Sequence, residues 1–295
     1  MTLEELNREL NSGKSVDLSN ILDLAIRDSK TGTNSNKCGY QSKNGKTHIN
    51  YMSNVAWQEY LDNLKEHRKC FKLEIAGDPP KMASYGSSSQ MTYELFKDKA
   101  NVEFEAQLTG FGKAKLDVYI NTDNQDIYVE AKRREIYGDY STVKASDKYE
   151  VVYKDIHKSH NAFVFSSKES TQKDRLNYSF SYNGYAIKHF DIKQLICHFL
   201  GISADIIRKN NEKPVRFLYL IFDPNSVEKY IDVRYREEIL EVYDETKAEI
   251  ERIDFSALFN AVFNFQLKNL NKRDIPPPEF EFHFVDHTNY TNYLK

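Results

Sequence analysis

An α/β fold, with a central mixed β-sheet flanked by helices, is what this sequence predicts, and three stretches predict it. Residues 115–120 and 127–132 each alternate polar and apolar, and the turn-rich residues 121–126 between them make the pair a β-hairpin. Ile192, Leu195, Ile196, Phe199 and Leu200 recur at helical spacing. Residues 215–222 form a near-continuous apolar run, the pattern of a strand covered on both faces inside a mixed sheet.

The elements follow in order. Residues 1–83 read as a helical N-terminal region: 2–27 carry the Leu and Ile spacing of short helices, and Val55, Trp57, Tyr60, Leu61 and Leu64 mark another. Between them, residues 28–50 are rich in Ser, Asn, Gly and Lys with little to bury, a flexible basic loop. The core proper spans 84–222. Ser87, Ser88 and Ser89 offer N-caps to a helix running to about Lys99. Residues 102–108 alternate and pair with the Asp117 strand, in a register such as the one that sets Glu105 opposite Asp117. Residues 135–190 are an inserted hairpin region, in which Asn183-Gly184 signals a type I′ turn between two tyrosine-rich arms. Those tyrosines suit base stacking or plain cross-strand pairing. Asp191 caps the next helix, with Gln194 at the capping-box position and Gly201 at its end. Residues 223–295 form a C-terminal extension: a helical region, acidic and then apolar, over 234–270, and a last strand over 280–285.

The hairpin carries the chemistry. With the turn centred between Asp123 and Asn124, Ile120 faces Ile127, Val118 faces Val129 and Leu116 faces Ala131, so one side is wholly apolar. The other side holds Lys115, Asp117, Tyr119, Tyr128, Glu130 and Lys132, with Asp117 directly opposite Glu130. Opposed side chains stand about 4.5–5.5 Å apart at Cβ, and like charges so placed are destabilising. A cation should therefore share the site, either a lysine or a hard divalent ion with a taste for carboxylates and water. Two acids beside a lysine suit metal-assisted phosphodiester hydrolysis.

Asp117 followed by Glu130-Ala131-Lys132 on the adjacent strand resembles the signature of the PD-(D/E)XK nuclease superfamily, with its restriction-endonuclease-like core. The resemblance covers roughly residues 84–222, and Leu116 stands where the name-giving proline would be. It implies that Asp117 and Glu130 bind Mg²⁺ (Mn²⁺ is the alternative ion), that Lys132 is the catalytic lysine, and that the Ala131 carbonyl is a further ligand. It also implies a third carboxylate on the helix before the first strand. Glu94 holds that place, and Glu105 is its rival. Arg134 continues the polar face and suits a phosphate contact. The activity implied is Mg²⁺-dependent nucleic-acid hydrolysis, with DNA preferred over RNA by analogy; many such enzymes act as homodimers. The competing expectation is a non-catalytic nucleic-acid- or protein-binding module on the same fold.

The bare E-x-K triplet is unspecific, since Glu245-Thr246-Lys247 also fits, inside an acidic helical stretch. Strand context and an opposed acid set Glu130 apart. Net charge is −3, so no global basic signature marks a nucleic-acid binder. The charge is uneven, however. Residues 27–50 carry five Lys or Arg against one acid, and residues 236–254 carry eight acids against three basic residues. The 3 cysteines show neither zinc spacing nor a disulfide framework, and Cys197 falls on a helix's apolar face. His157 and His160 lack a further ligand. No signal-peptide core or membrane-length apolar run is seen, so the cytoplasm is the expected compartment.

Overall fold

The computed structural model describes residues 40–41, 47–48, 88–110, 114–132, 139–221 and 233–294. The helices expected over 2–27 and 54–70 lie outside these. Of the basic loop 28–50, only a two-residue antiparallel ladder, Tyr40–Gln41 with Thr47–His48, is described. In chain order the elements are α1 (Ser88–Phe96), β1 (Val102–Gln107), β2 (Lys115–Asn121), β3 (Asp126–Lys132), β4 (Val143–Ser146), α2 (Tyr149–Ser159), β5 (Phe163–Glu169), β6 (Arg175–Tyr182), β7 (Tyr185–Ile187), α3 (Ile192–Lys209), β8 (Val215–Ile221), α4 (Val233–Glu251), α5 (Phe255–Asn269) and β9 (Phe280–Asp286).

Five strands build the predicted mixed sheet in the order β9-β8-β3-β2-β1. β8 runs parallel to both β3 and β9, whereas β3, β2 and β1 are antiparallel neighbours. The apolar run of β8 is buried except at Arg216, as a strand covered on both faces requires. The hairpin takes the expected register, Val118 with Val129 and Ile120 with Ile127. β1 joins β2 with Phe104 on Val118 and Ala106 on Leu116, the register that points Glu105 at Asp117. Glu105 itself drops out of the ladder in a left-handed conformation, φ 52°. The pair changes faces there: Phe104 and Val118 pack on one side of the sheet, Ala106 and Leu116 on the other.

Both faces of the sheet are covered. Val118, Ile120, Ile127, Val129, Ala131, Leu218 and Leu220 meet Phe96 of α1 and Tyr290 of a terminal 3₁₀ turn, Tyr290–Tyr293. On the opposite face Tyr128, Phe217 and Tyr219 belong to a larger core, which runs through α3 and α5 to α2 and the inner side of a second, antiparallel sheet, β4-β6-β5 with β7 beside β6. So of the hairpin face that reads as polar, Tyr128, Glu130 and Lys132 on β3 are buried, while Lys115, Asp117 and Tyr119 on β2 are half-buried. Asn183 and Gly184 make the β6–β7 turn with φ of 49° and 82°, both positive as a type I′ turn demands. Tyr178 and Tyr182 point inward and are buried; Tyr178 packs edge-on against Tyr153 of α2 at 5.0 Å, so the base-stacking expectation fails for these two rings.

Two helix boundaries differ from expectation. α3 runs through Gly201 to Lys209 and ends on Asn210, whose φ of 49° is a left-handed cap. Gly201 sits inside the helix because Leu108 lies against it: a Cβ there would come within 2.6 Å of the Leu108 Cβ. The expected helical region over 234–270 is two helices, the second capped by Asp254, which accepts the Ala257 N–H at 2.9 Å. Among the described residues, no helix is long and apolar enough to cross a membrane.

Candidate active site

β3 sets Glu130 and Lys132 two residues apart, hence on one face, and that face looks at α3. Asp191 starts α3 by accepting the Gln194 N–H at 2.9 Å. The entry to the helix is held from α4, where Glu249 accepts the backbone N–H groups of Lys188 (2.9 Å), His189 (2.9 Å) and Phe190 (3.2 Å). So positioned, the first two turns of α3 lay Gln194 and His198 over β3.

Gln194 then closes a triangle. Its Nε2 donates to Glu130 Oε1 at 2.7 Å, and its Oε1 accepts from Lys132 Nζ at 2.8 Å. Lys132 Nζ donates to the same Glu130 Oε1 at 2.6 Å. His198 Nε2 stands 3.1 Å from Glu130 Oε2, an ion-pair distance without the alignment of a hydrogen bond. Only 4% of Glu130 and 7% of Lys132 is exposed, so this charge is matched inside the protein rather than by solvent. Burial pushes the Glu130 carboxyl up, but Lys132 and His198 together outweigh it and hold the group down at about 2. Glu130 is therefore a carboxylate at neutral pH.

Asp117 is placed differently from the sequence expectation. The β2–β3 ladder stops at Val118–Val129, one pair short of Asp117 and Glu130. Instead, Asp117 Oδ2 accepts the N–H of Ala131 at 2.7 Å, so a side chain takes over where the ladder ends. The conflict of like charges is thereby relieved from within: Asp117 binds an amide, and Glu130 binds an ammonium. No dication is needed to bring the two acids together. What remains is two carboxylates and a lysine gathered around the residue Ala131.

The other candidates scatter. Glu105 pairs with Lys115 at 2.7 Å, beside the hairpin but turned to its own partner. α1 carries Glu94 along the sheet face opposite to Glu130, packing there through Phe96; the Glu94 side chain lies outside the described residues, as does Arg134. His157 Nδ1 contacts the Phe163 carbonyl at 2.7 Å, and His160 Nε2 contacts the Tyr182 hydroxyl at 2.8 Å. Cys197 is buried in the core, as its helical position implies. The second E-x-K triplet is on α4, with Glu245 and Lys247 exposed and paired to His189 and Glu251. Sequence reasoning assigns Gln194 only to the cap and passes over His198. The signal that finds both is their spacing: two polar residues one helical turn apart on an otherwise apolar face.

The donor set suits a hard cation. Asp117, Glu130 and the Ala131 carbonyl are oxygen donors of the kind Mg²⁺ takes, one or two carboxylates with water completing the shell. Among the described residues no three of His, Cys, Asp and Glu converge on a point, so an all-protein cage for zinc or calcium is not offered there. No protein-family model, curated protein or solved structure matches this chain.

Proposed function

We propose that this chain is a Mg²⁺-dependent nuclease that hydrolyses nucleic-acid phosphodiester bonds, with DNA as the preferred substrate and a second copy of the chain as a candidate partner. One observation carries the reading: Lys132 and Glu130 touch beneath Gln194, and Asp117 is fastened to the amide of the residue between them. Asp117, Glu130 and the Ala131 carbonyl would hold the ion. The bound ion would lower the pKa of its water and take up charge on the phosphate. Lys132, aimed by Glu130 and Gln194, directs its ammonium at the attacking water or at charge developing on the phosphate oxygens. In-line attack of that water on phosphorus would break the P–O3′ bond, giving a 5′-phosphate and a 3′-oxygen that leaves as a hydroxyl after taking a proton from solvent.

The test is an assay on plasmid, linear and single-stranded DNA with Mg²⁺ or chelator. Lys132→Ala, confirmed folded by circular dichroism, should lose Mg²⁺-stimulated cleavage about 10²–10³-fold. Lys247→Ala should cut like the wild type. Undiminished cleavage by Lys132→Ala removes the mechanism.

The burial of Glu130 and Lys132 favours a second reading, in which the network is internal scaffolding of a non-catalytic nucleic-acid- or protein-binding module. Under it, calorimetry gives no Mg²⁺ heat and the wild type cuts nothing.

A further inference from the structure

The two oxygens of Glu130 are treated unequally. Oε1 is bonded by both Lys132 and Gln194, whereas Oε2 faces Nε2 of His198. His198 is itself 2% exposed, and its ring lies tilted against Phe217 with centroids 6.3 Å apart. Neither ring nitrogen makes an aligned hydrogen bond, and Nε2 meets Oε2 only as a polar contact at 3.1 Å. A buried polar atom left so costs about 1–3 kcal/mol, and Phe or Leu at this helix position would fill the space without that cost. What an imidazole offers there and an apolar side chain does not is a polar nitrogen 3.1 Å from Oε2.

We propose that His198 is a positioning residue that fixes the plane of the Glu130 carboxylate for the divalent ion, a role that rests on the nuclease reading above. Lys132 and Gln194 pin one oxygen, which leaves the group free to rotate about that point. The Nε2 of His198, 3.1 Å from the second oxygen, restrains that rotation by polar attraction across the contact rather than by an aligned hydrogen bond. Mg²⁺ demands near-octahedral ligands at about 2.0–2.1 Å, so a carboxylate swinging by a few tenths of an ångström binds it poorly. Partners that orient a metal ligand are typically worth 10–100-fold in affinity or activity.

Three substitutions separate orientation from packing. His198→Gln can return a nitrogen to the place of Nε2, His198→Asn returns one only near Nδ1, and His198→Phe fills the volume with no polar atom. Mg²⁺ binding to the metal-free protein is measured by calorimetry, together with kcat and KM on DNA and the circular dichroism spectrum. Phe and Asn are expected to weaken Mg²⁺ binding tenfold or more and to lower kcat while KM for DNA stays unchanged, and Gln is expected to restore both to near wild type. Wild-type Mg²⁺ affinity in the Phe variant overturns the proposal, as does equal impairment of Gln and Phe. Should Phe fail to fold, the Gln-against-Asn contrast decides alone. A wild type that neither binds Mg²⁺ nor cuts DNA sinks the nuclease reading and this role together, whereas a competent wild type with an indifferent His198→Phe sinks this role only.

Discussion

Burying a carboxylate ordinarily favours its neutral form, and Glu130 goes the other way only because Lys132 and His198 stand against it. Its folded pKa, about 2, lies below the ordinary 4.5, so the group contributes stability that is fully present above about pH 4.5 and is lost as pH falls from there towards 2. Urea unfolding followed from pH 7 to pH 2 should show the wild type declining through that window. Glu130→Gln should decline less there and start about 3–5 kcal/mol lower at pH 7, because Lys132 is then buried without its counter-charge. Identical acid profiles would contradict the assignment. At this scale Glu130 and Lys132 were legible because strand alternation puts both on one face. His198 was not, because nothing in a helical stripe says which strand residue its odd polar member will meet.

α3 links the single residues to the sheet, and for a physical reason it runs past the stop that Gly201 signals. Glycine reads as a stop because it weakens a helix interior by about 1 kcal/mol relative to alanine. Here it is kept for space, since Leu108 occupies the place a side chain would need. Gly201→Ala should therefore gain about 1 kcal/mol of helix propensity and lose more to overpacking, which costs about 1–3 kcal/mol when the neighbour is a Cβ close to the backbone. A net loss in the chemical denaturation midpoint, with helical signal unchanged, is the expected result; a stabilised variant would show that Leu108 moves aside freely. The hairpin, by contrast, was readable to its register, because a residue-by-residue alternation flanking a turn leaves little choice of pairing. Its open end was not, since a carboxylate taking over from the ladder leaves no trace in the pattern.

For the molecule as a whole, the mixed sheet followed from the apolar run of β8, which only a strand with neighbours on both sides tolerates. The second sheet was only partly legible. α2 buries Tyr149, Val152, Tyr153 and Ile156 from a stretch whose many charges hide that stripe. If the chain holds Mg²⁺ in its native state alone, unfolding must release the ion. The melting temperature should then rise with Mg²⁺, by the equivalent of about 2.7 kcal/mol at a hundred times the dissociation constant, and fall back with chelator. A melting temperature indifferent to both would favour the non-catalytic module.

Gln194 reaches Glu130 across 64 positions of chain. During synthesis, β2 and β3 can zip together early, yet their acids and lysine then stand without the helix that aims them. The hydrogen-bonded triangle closes only once that distant segment has docked, with the slow, non-local steps of folding. A chain caught before those steps would carry Asp117, Glu130 and Lys132 on their strands without the side chain that ties them together.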